Sequence, residues 1–151
     1  MNGEGEQETS SPSLSPPSSP STPSTPSRPS PPSSSPSRIL LIQSEWPARA
    51  LLAAELEERG FEVLASDSLP TALDLAMTRG FRPDLIVVDS MWLTLEPGYV
   101  ERLLFLRANS PLLLIVSAQY AEPRVLAPTR VLSRPVTVGE IADAAEQLAS
   151  L

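Results

Sequence analysis

Three uninterrupted apolar runs, Ile39–Ile42, Leu85–Val88 and Leu112–Val116, set the strongest limit on how this chain can fold. Each is strand-sized, each is followed by a polar residue, and none alternates with polar positions. A strand that is apolar at every position needs cover on both faces, which points to a parallel sheet between helical layers. The segments between the runs read as those helices. Residues 47–59 carry Ala50, Leu51, Ala54 and Leu56 near helical spacing, with Pro47 in the first turn and Gly60 as the stop. Phe61–Ala65 reads as a further strand. Ser68 is placed to cap a helix over 70–79, with Leu69, Leu73, Ala76 and Met77 facing inward and Gly80 ending it. Residues 98–108 form a third helix, closed by Asn109-Ser110-Pro111. Arg130–Leu132 is a weaker strand. Thr137 and Glu140 make a capping box that opens a last helix to about Ser150. The order is βαβαβαβ, a short link, then βα, an α/β fold of about 114 residues and one domain.

That domain, residues 38–151, is preceded by a segment of different texture. Residues 1–37 hold ten of the 18 prolines and a single leucine, Leu14. From Ser10 to Ser37 the chain is almost wholly Ser, Pro and Thr. Such a segment cannot bury enough apolar surface to offset the entropy of ordering it, so a disordered, semi-stiff tail is expected. Its composition suits a spacer, a docking site for a Pro-binding module or a substrate for Ser/Thr kinases.

The absent residue types narrow the chemistry. There is no His and no Cys, and all 11 basic residues are Arg. Without Cys there are no disulfides, thiolate nucleophiles or Cys-bound metal centres. Without His the commonest general base is lost, and with it every Ser-His-Asp arrangement. Without Lys there is no P-loop lysine and no Schiff base. An enzyme is therefore not expected. The net charge of −7 argues against nucleic acid, because a negative chain releases no counterions from a phosphate backbone. The N-terminus carries Glu4, Glu6 and Glu8 where a secretory signal would be basic, and no apolar run is long enough to span a membrane, so a cytoplasmic protein with no membrane partner is expected.

In parallel α/β sheets, ligands sit at the carboxyl ends of the strands. The residues there are Gln43, Ser44 and Glu45; Asp89, Ser90 and Met91; Ser117 and Ala118; and Ser133, Arg134 and Pro135. Asp89 could cap the following turn or pair with Arg134, and Ser117 could bond to backbone. Trp46 and Trp92, the two tryptophans, are expected in loops at this edge, with Tyr99 and Tyr120 nearby. Each Trp either lies flat on apolar neighbours or anchors a partner.

This constellation over residues 38–151 resembles the receiver domain of bacterial response regulators. Pro83-Asp84-Leu85-Ile86-Val87-Val88-Asp89 looks like the third strand leading to the phosphoacceptor aspartate. Val116-Ser117-Ala118 resembles the fourth strand with its hydroxyl residue, and Arg134-Pro135 stands where the family has Lys-Pro. The resemblance implies a flavodoxin-like three-layer fold with strand order 2-1-3-4-5. It makes Asp89 the candidate phosphoacceptor, with Ser117 and Arg134 as candidate phosphate contacts. It also implies Mg²⁺, held by an acidic pair after strand one, by the aspartate and by the carbonyl two residues beyond it. Here the pair is Gln43 and Ser44, and Glu45 is one residue off register. Neutral oxygens suit a hard, strongly hydrated cation poorly, so neither Mg²⁺ nor another cofactor is expected. Arg134 keeps the charge of the lysine but not its compact geometry. The switch aromatic is replaced by Val131. Ser117 and Arg134 are 17 positions apart, fewer than in the family. The fourth helix is therefore expected to shrink to a turn or two around Glu122–Ala127.

A stand-alone, pseudo-receiver-like protein of a phosphorelay is the expectation. It would act through contacts with a histidine kinase or another signalling protein, with impaired or absent phosphorylation of Asp89. The alternative is a flavodoxin-like ligand binder or enzyme. That would want a Gly- or Ser/Thr-rich phosphate loop after strand one, where Gln43-Ser44-Glu45-Trp46-Pro47 has no glycine. If the tail buries no core, a chain starting at Pro36 should melt at nearly the temperature of the full chain. A large fall in its thermal midpoint would contradict the reading.

Overall fold

The protein is described by a computed structural model covering residues 36–117 and 123–150. The expectations for residues 1–35, and for Ala118, Tyr120 and Glu122, lie outside the described residues. Ten elements follow in order: β1 (Arg38–Ile42), α1 (Trp46–Glu58), β2 (Glu62–Ser66), α2 (Leu69–Arg79), β3 (Leu85–Asp89), α3 (Pro97–Arg107), β4 (Leu112–Val116), a single 3-10 turn (Arg124–Leu126), β5 (Arg130–Ser133) and α4 (Val138–Ala149). The strands form one sheet in the order β2-β1-β3-β4-β5, with every pair parallel.

The apolar runs divide between two cores. Leu40 and Ile42 of β1, Ile86 and Val88 of β3, and Leu112, Leu114 and Val116 of β4 pack with α2 and α3. Their neighbours Ile39, Leu41, Leu85, Val87, Leu113 and Ile115 pack with α1 and α4 on the other face. Successive strand side chains point to opposite faces, so a sheet covered twice needs apolar residues at every position. β5 is the exception: an edge strand that buries none of its four residues.

Local signals set the helix ends. The Ser68 hydroxyl accepts from the Thr71 amide at 3.3 Å, and Gly80 ends α2 at φ 60°. Thr137 and Glu140 form the expected capping box at 3.0 and 2.8 Å. One inward assignment needs correction, and on α1 the helical spacing does not mark the buried face. Met77 is 67% exposed, because the buried stripe of α2 is Leu69, Ala72, Leu73 and Ala76. On α1 only Leu56 of the four spaced residues is buried, and its partner is Leu52; Ala50, Leu51 and Ala54 face outward. This helix is apolar on more than one side, so spacing alone could not choose its buried face.

Between β4 and β5 the expected shortening is present as the 3-10 turn. Leu126 plugs the core there, fully buried. Arg107, the last residue of α3, holds the connection in place. Its guanidinium donates to the carbonyls of Leu126 (2.9 Å) and Ala127 (2.7 Å) and to Thr129 Oγ1 (3.0 Å), while its Nε donates to the Ser110 carbonyl at 2.7 Å. Thr129 Oγ1 also accepts from the Leu112 amide at 3.0 Å, so the clamp reaches the first residue of β4. Partial burial lowers the Arg107 pKa below its ordinary value. Arg107→Lys keeps the charge and loses the fork. We expect it to destabilise the protein by about 2 kcal/mol in a denaturant titration, with amide exchange accelerated first around residues 124–130.

Candidate functional site

The carboxyl edge of the sheet brings the expected residues together. The ladder runs one residue past several strands. The Gln43 amide donates to the Ser66 carbonyl at 3.0 Å, the Ser90 amide to the Ile115 carbonyl at 3.0 Å, and the Arg134 amide to the Val116 carbonyl at 2.8 Å. Gln43, Asp89, Ser117 and Arg134 therefore leave four adjacent strands, β1, β3, β4 and β5, at one level.

Asp89 is 2% exposed, and both its oxygens are occupied by N–H donors. Oδ1 accepts from the Met91 amide at 3.0 Å and from Arg134 Nη1 at 2.9 Å. Oδ2 accepts from Gln43 Nε2 at 2.8 Å and from Arg134 Nη2. Arg134 reaches across the end of β4 to make this two-pronged contact. Its pKa is raised, first by the hydrogen bond to Asp89, against partial desolvation, with smaller contributions from the charges of Asp89 and Glu45. The pair is the fork-to-carboxylate geometry that a guanidinium forms and an ammonium cannot.

Gln43 is 3% exposed, and its amide orientation is fixed by Asp89, since turning it over would set oxygen against oxygen. Its Oε1 is buried and has no hydrogen-bond partner among the described residues. Ser44 donates its hydroxyl to the Met91 carbonyl at 3.0 Å. Arg49 Nη1 donates to the carbonyls of Gln43 (2.9 Å) and Ser44 (3.3 Å), bracing the β1–α1 loop. Ser117 is buried at the same edge, with no hydrogen bond to Asp89 or Arg134. Val131 is half-buried and packs into the core on the α2–α3 side, where it pairs with Leu114.

Glu45 is exposed and precedes α1 without capping it. Trp92 lies in the loop after β3, as expected, 73% exposed and at φ 61°. Trp46 is not in a loop: it is the first residue of α1, and Pro47 follows it in the first turn, where a missing N–H leaves no helix bond unmade. It is 67% exposed. Tyr99 turns inward to pack on the core, with Arg102 over its ring at 5.7 Å.

Sequence reasoning anticipated that Asp89 and Arg134 could pair. It missed the donor roles of Gln43 and Ser44 and the brace from Arg49. A glutamine where a carboxylate is expected beside an aspartate is the readable signal for the first, because an amide can donate where an acid cannot.

No protein-family description matches the sequence, and no characterised protein matches it. Solved structures do match in fold. A response regulator receiver domain protein from Clostridium thermocellum superposes with a TM-score of 0.60 at 18% identity, over 76% of this chain and 94% of that one. The signal receiver domain of a modulated diguanylate cyclase from Desulfovibrio desulfuricans G20 gives 0.58 at 26% identity, over 76% and 94%. The chemotaxis response regulator CheY4 of Vibrio cholerae gives 0.59 at 18%, over 75% and 98%. The chain has the receiver-domain fold.

Removing one member of a buried ion pair strands the other. Arg134→Ala should therefore cost about 3 kcal/mol in equilibrium unfolding, whereas adding it to Asp89→Ala should cost at most about 1 kcal/mol more. Additive losses in the double variant would show that the pair is not coupled.

Proposed function

We propose that this domain is a receiver-fold signalling module that works through protein contacts and takes no phosphoryl group at Asp89. The observation that carries the reading is the two-pronged Arg134 contact. A carboxylate that attacks a phosphoryl donor needs an oxygen free to form the new bond and a cation to offset the incoming charge. Here each Asp89 oxygen already accepts two N–H donors. Arg134 supplies the neutralising charge within the protein, carried to Asp89 from the end of β5.

The surrounding donors do not suit Mg²⁺. Gln43 turns its amide nitrogen toward Asp89, and the Met91 carbonyl already accepts from Ser44. Magnesium demands oxygen ligands in near-octahedral arrangement and releases its water reluctantly. Among the described residues at this edge every polar side chain that contacts Asp89 is a donor to it, which suits a binding role for the domain. Its partners are signalling proteins, a histidine kinase among them. The neighbours in fold include a receiver domain from the hybrid histidine kinase CckA, which places one such domain in a kinase of that type.

Acetyl phosphate with Mg²⁺ should leave the mass of the full chain unchanged. The triple variant Gln43→Asp, Ser44→Asp, Arg134→Lys restores the acids and the ammonium, and should gain a labile phosphate on Asp89. Rapid labelling of the unaltered protein, lost in Asp89→Asn, would overturn the reading.

A further inference from the structure

We propose that the rim formed by the loops after β1, β2 and β3 is a docking surface for an arginine- or lysine-bearing segment of a partner protein. This rests on the protein-contact reading above and names the chemistry of the contact. Trp46 and Trp92 are 67% and 73% exposed. They flank a direct bond between two loops, since the Ser44 hydroxyl donates to the Met91 carbonyl at 3.0 Å and each Trp lies within two residues of that bond. Two exposed indoles, each within two residues of one bond between the loops, give this rim aromatic surface that the described residues leave uncovered.

Trp92 adds a second observation. It sits at φ 61°, a left-handed backbone conformation that a bulky side chain adopts at a cost. Burial does not offset that cost, because the ring is largely exposed.

Charge names the occupant. β2, β1 and β3 are neighbours in the sheet, so Asp67, Glu45 and Glu96 line the same rim. All three are exposed, and none forms a salt bridge among the described residues. The basic side chains at this edge are already committed, Arg49 to the Gln43 and Ser44 carbonyls and Arg134 to Asp89. An acidic rim around two exposed indoles complements a cation that can lie over a ring while pairing with a carboxylate. At the base of the same loops Gln43 keeps a buried amide oxygen without a donor among the described residues.

The test titrates the full chain with a short, tryptophan-free peptide alternating arginine and alanine, read by tryptophan emission and calorimetry. Saturable binding that weakens about tenfold in Glu45→Gln, Glu96→Gln is expected. The control Glu57→Gln, Glu58→Gln removes the same charge at the far end of α1 and should bind as the unaltered protein does. Trp92→Gly should lose affinity while its thermal midpoint rises, because glycine relieves the positive φ. No saturable binding, or an equal loss in the control pair, would overturn the proposal by showing no site or only attraction to net charge. A midpoint that falls in Trp92→Gly with binding retained would also overturn it. Phosphate incorporation in a parallel acetyl phosphate sample would instead strike at the Arg134 reading, so the two failures are distinguishable.

Discussion

A buried carboxylate must be compensated where it stands, and Asp89 is met from three directions, by one charge and two neutral N–H donors. β3 delivers it to the sheet edge almost wholly out of water, where an unpaired charge costs several kcal/mol. Arg134 meets it from β5, Gln43 from β1 and the Met91 amide from its own loop. The ion pair therefore does more than satisfy one residue. It ties the central strand to the edge strand across the end of β4, and it fixes the orientation of the Gln43 amide. That in turn sets which neighbouring atoms remain free.

The edge strand needs such ties. β5 buries none of its four residues and has a neighbour on one side only, so its packing alone holds it weakly. Arginine forks secure both of its ends. Arg107 gathers the carbonyls of Leu126 and Ala127 and the Thr129 hydroxyl just before the strand begins, and Arg134 grips Asp89 just after it ends. Leu126, fully buried, fills the space below the shortened connection. A guanidinium can reach several acceptors in one plane, and a chain whose basic residues are all arginine uses that capacity at both ends of its weakest strand. At its far end α1 is bound to α4 by the same device, with Arg59 contacting Glu55, Asp143 and Glu146.

The same edge that closes around Asp89 opens on its outer side. Ser44 and Arg49 use their polar groups inward to brace the loops, which leaves the indoles of Trp46 and Trp92 and the carboxylates of Glu45, Asp67 and Glu96 toward solvent. Internal satisfaction and external exposure are thus two sides of one arrangement.

Much of the fold was legible in the chain itself. Unbroken apolar runs require cover on both faces, Ser68 and the Thr137–Glu140 pair mark helix starts, and the 17-position gap between Ser117 and Arg134 leaves no room for a long helix. These features act over a few residues, so the sequence carries them directly. The buried face of α1 was not legible, because its alanines and leucines surround the helix and only packing against α4 and the sheet selects Leu52 and Leu56. Nor was the way Gln43, Arg134 and the Met91 amide share out the two oxygens of Asp89. Those partners are 46, 45 and two residues away along the chain. The sequence by itself determined which residues would stand at the ends of the strands. Only the tertiary structure decided which donor each oxygen receives, because hydrogen bonds depend on distances of a few tenths of an ångström that strand register and side-chain reach set together.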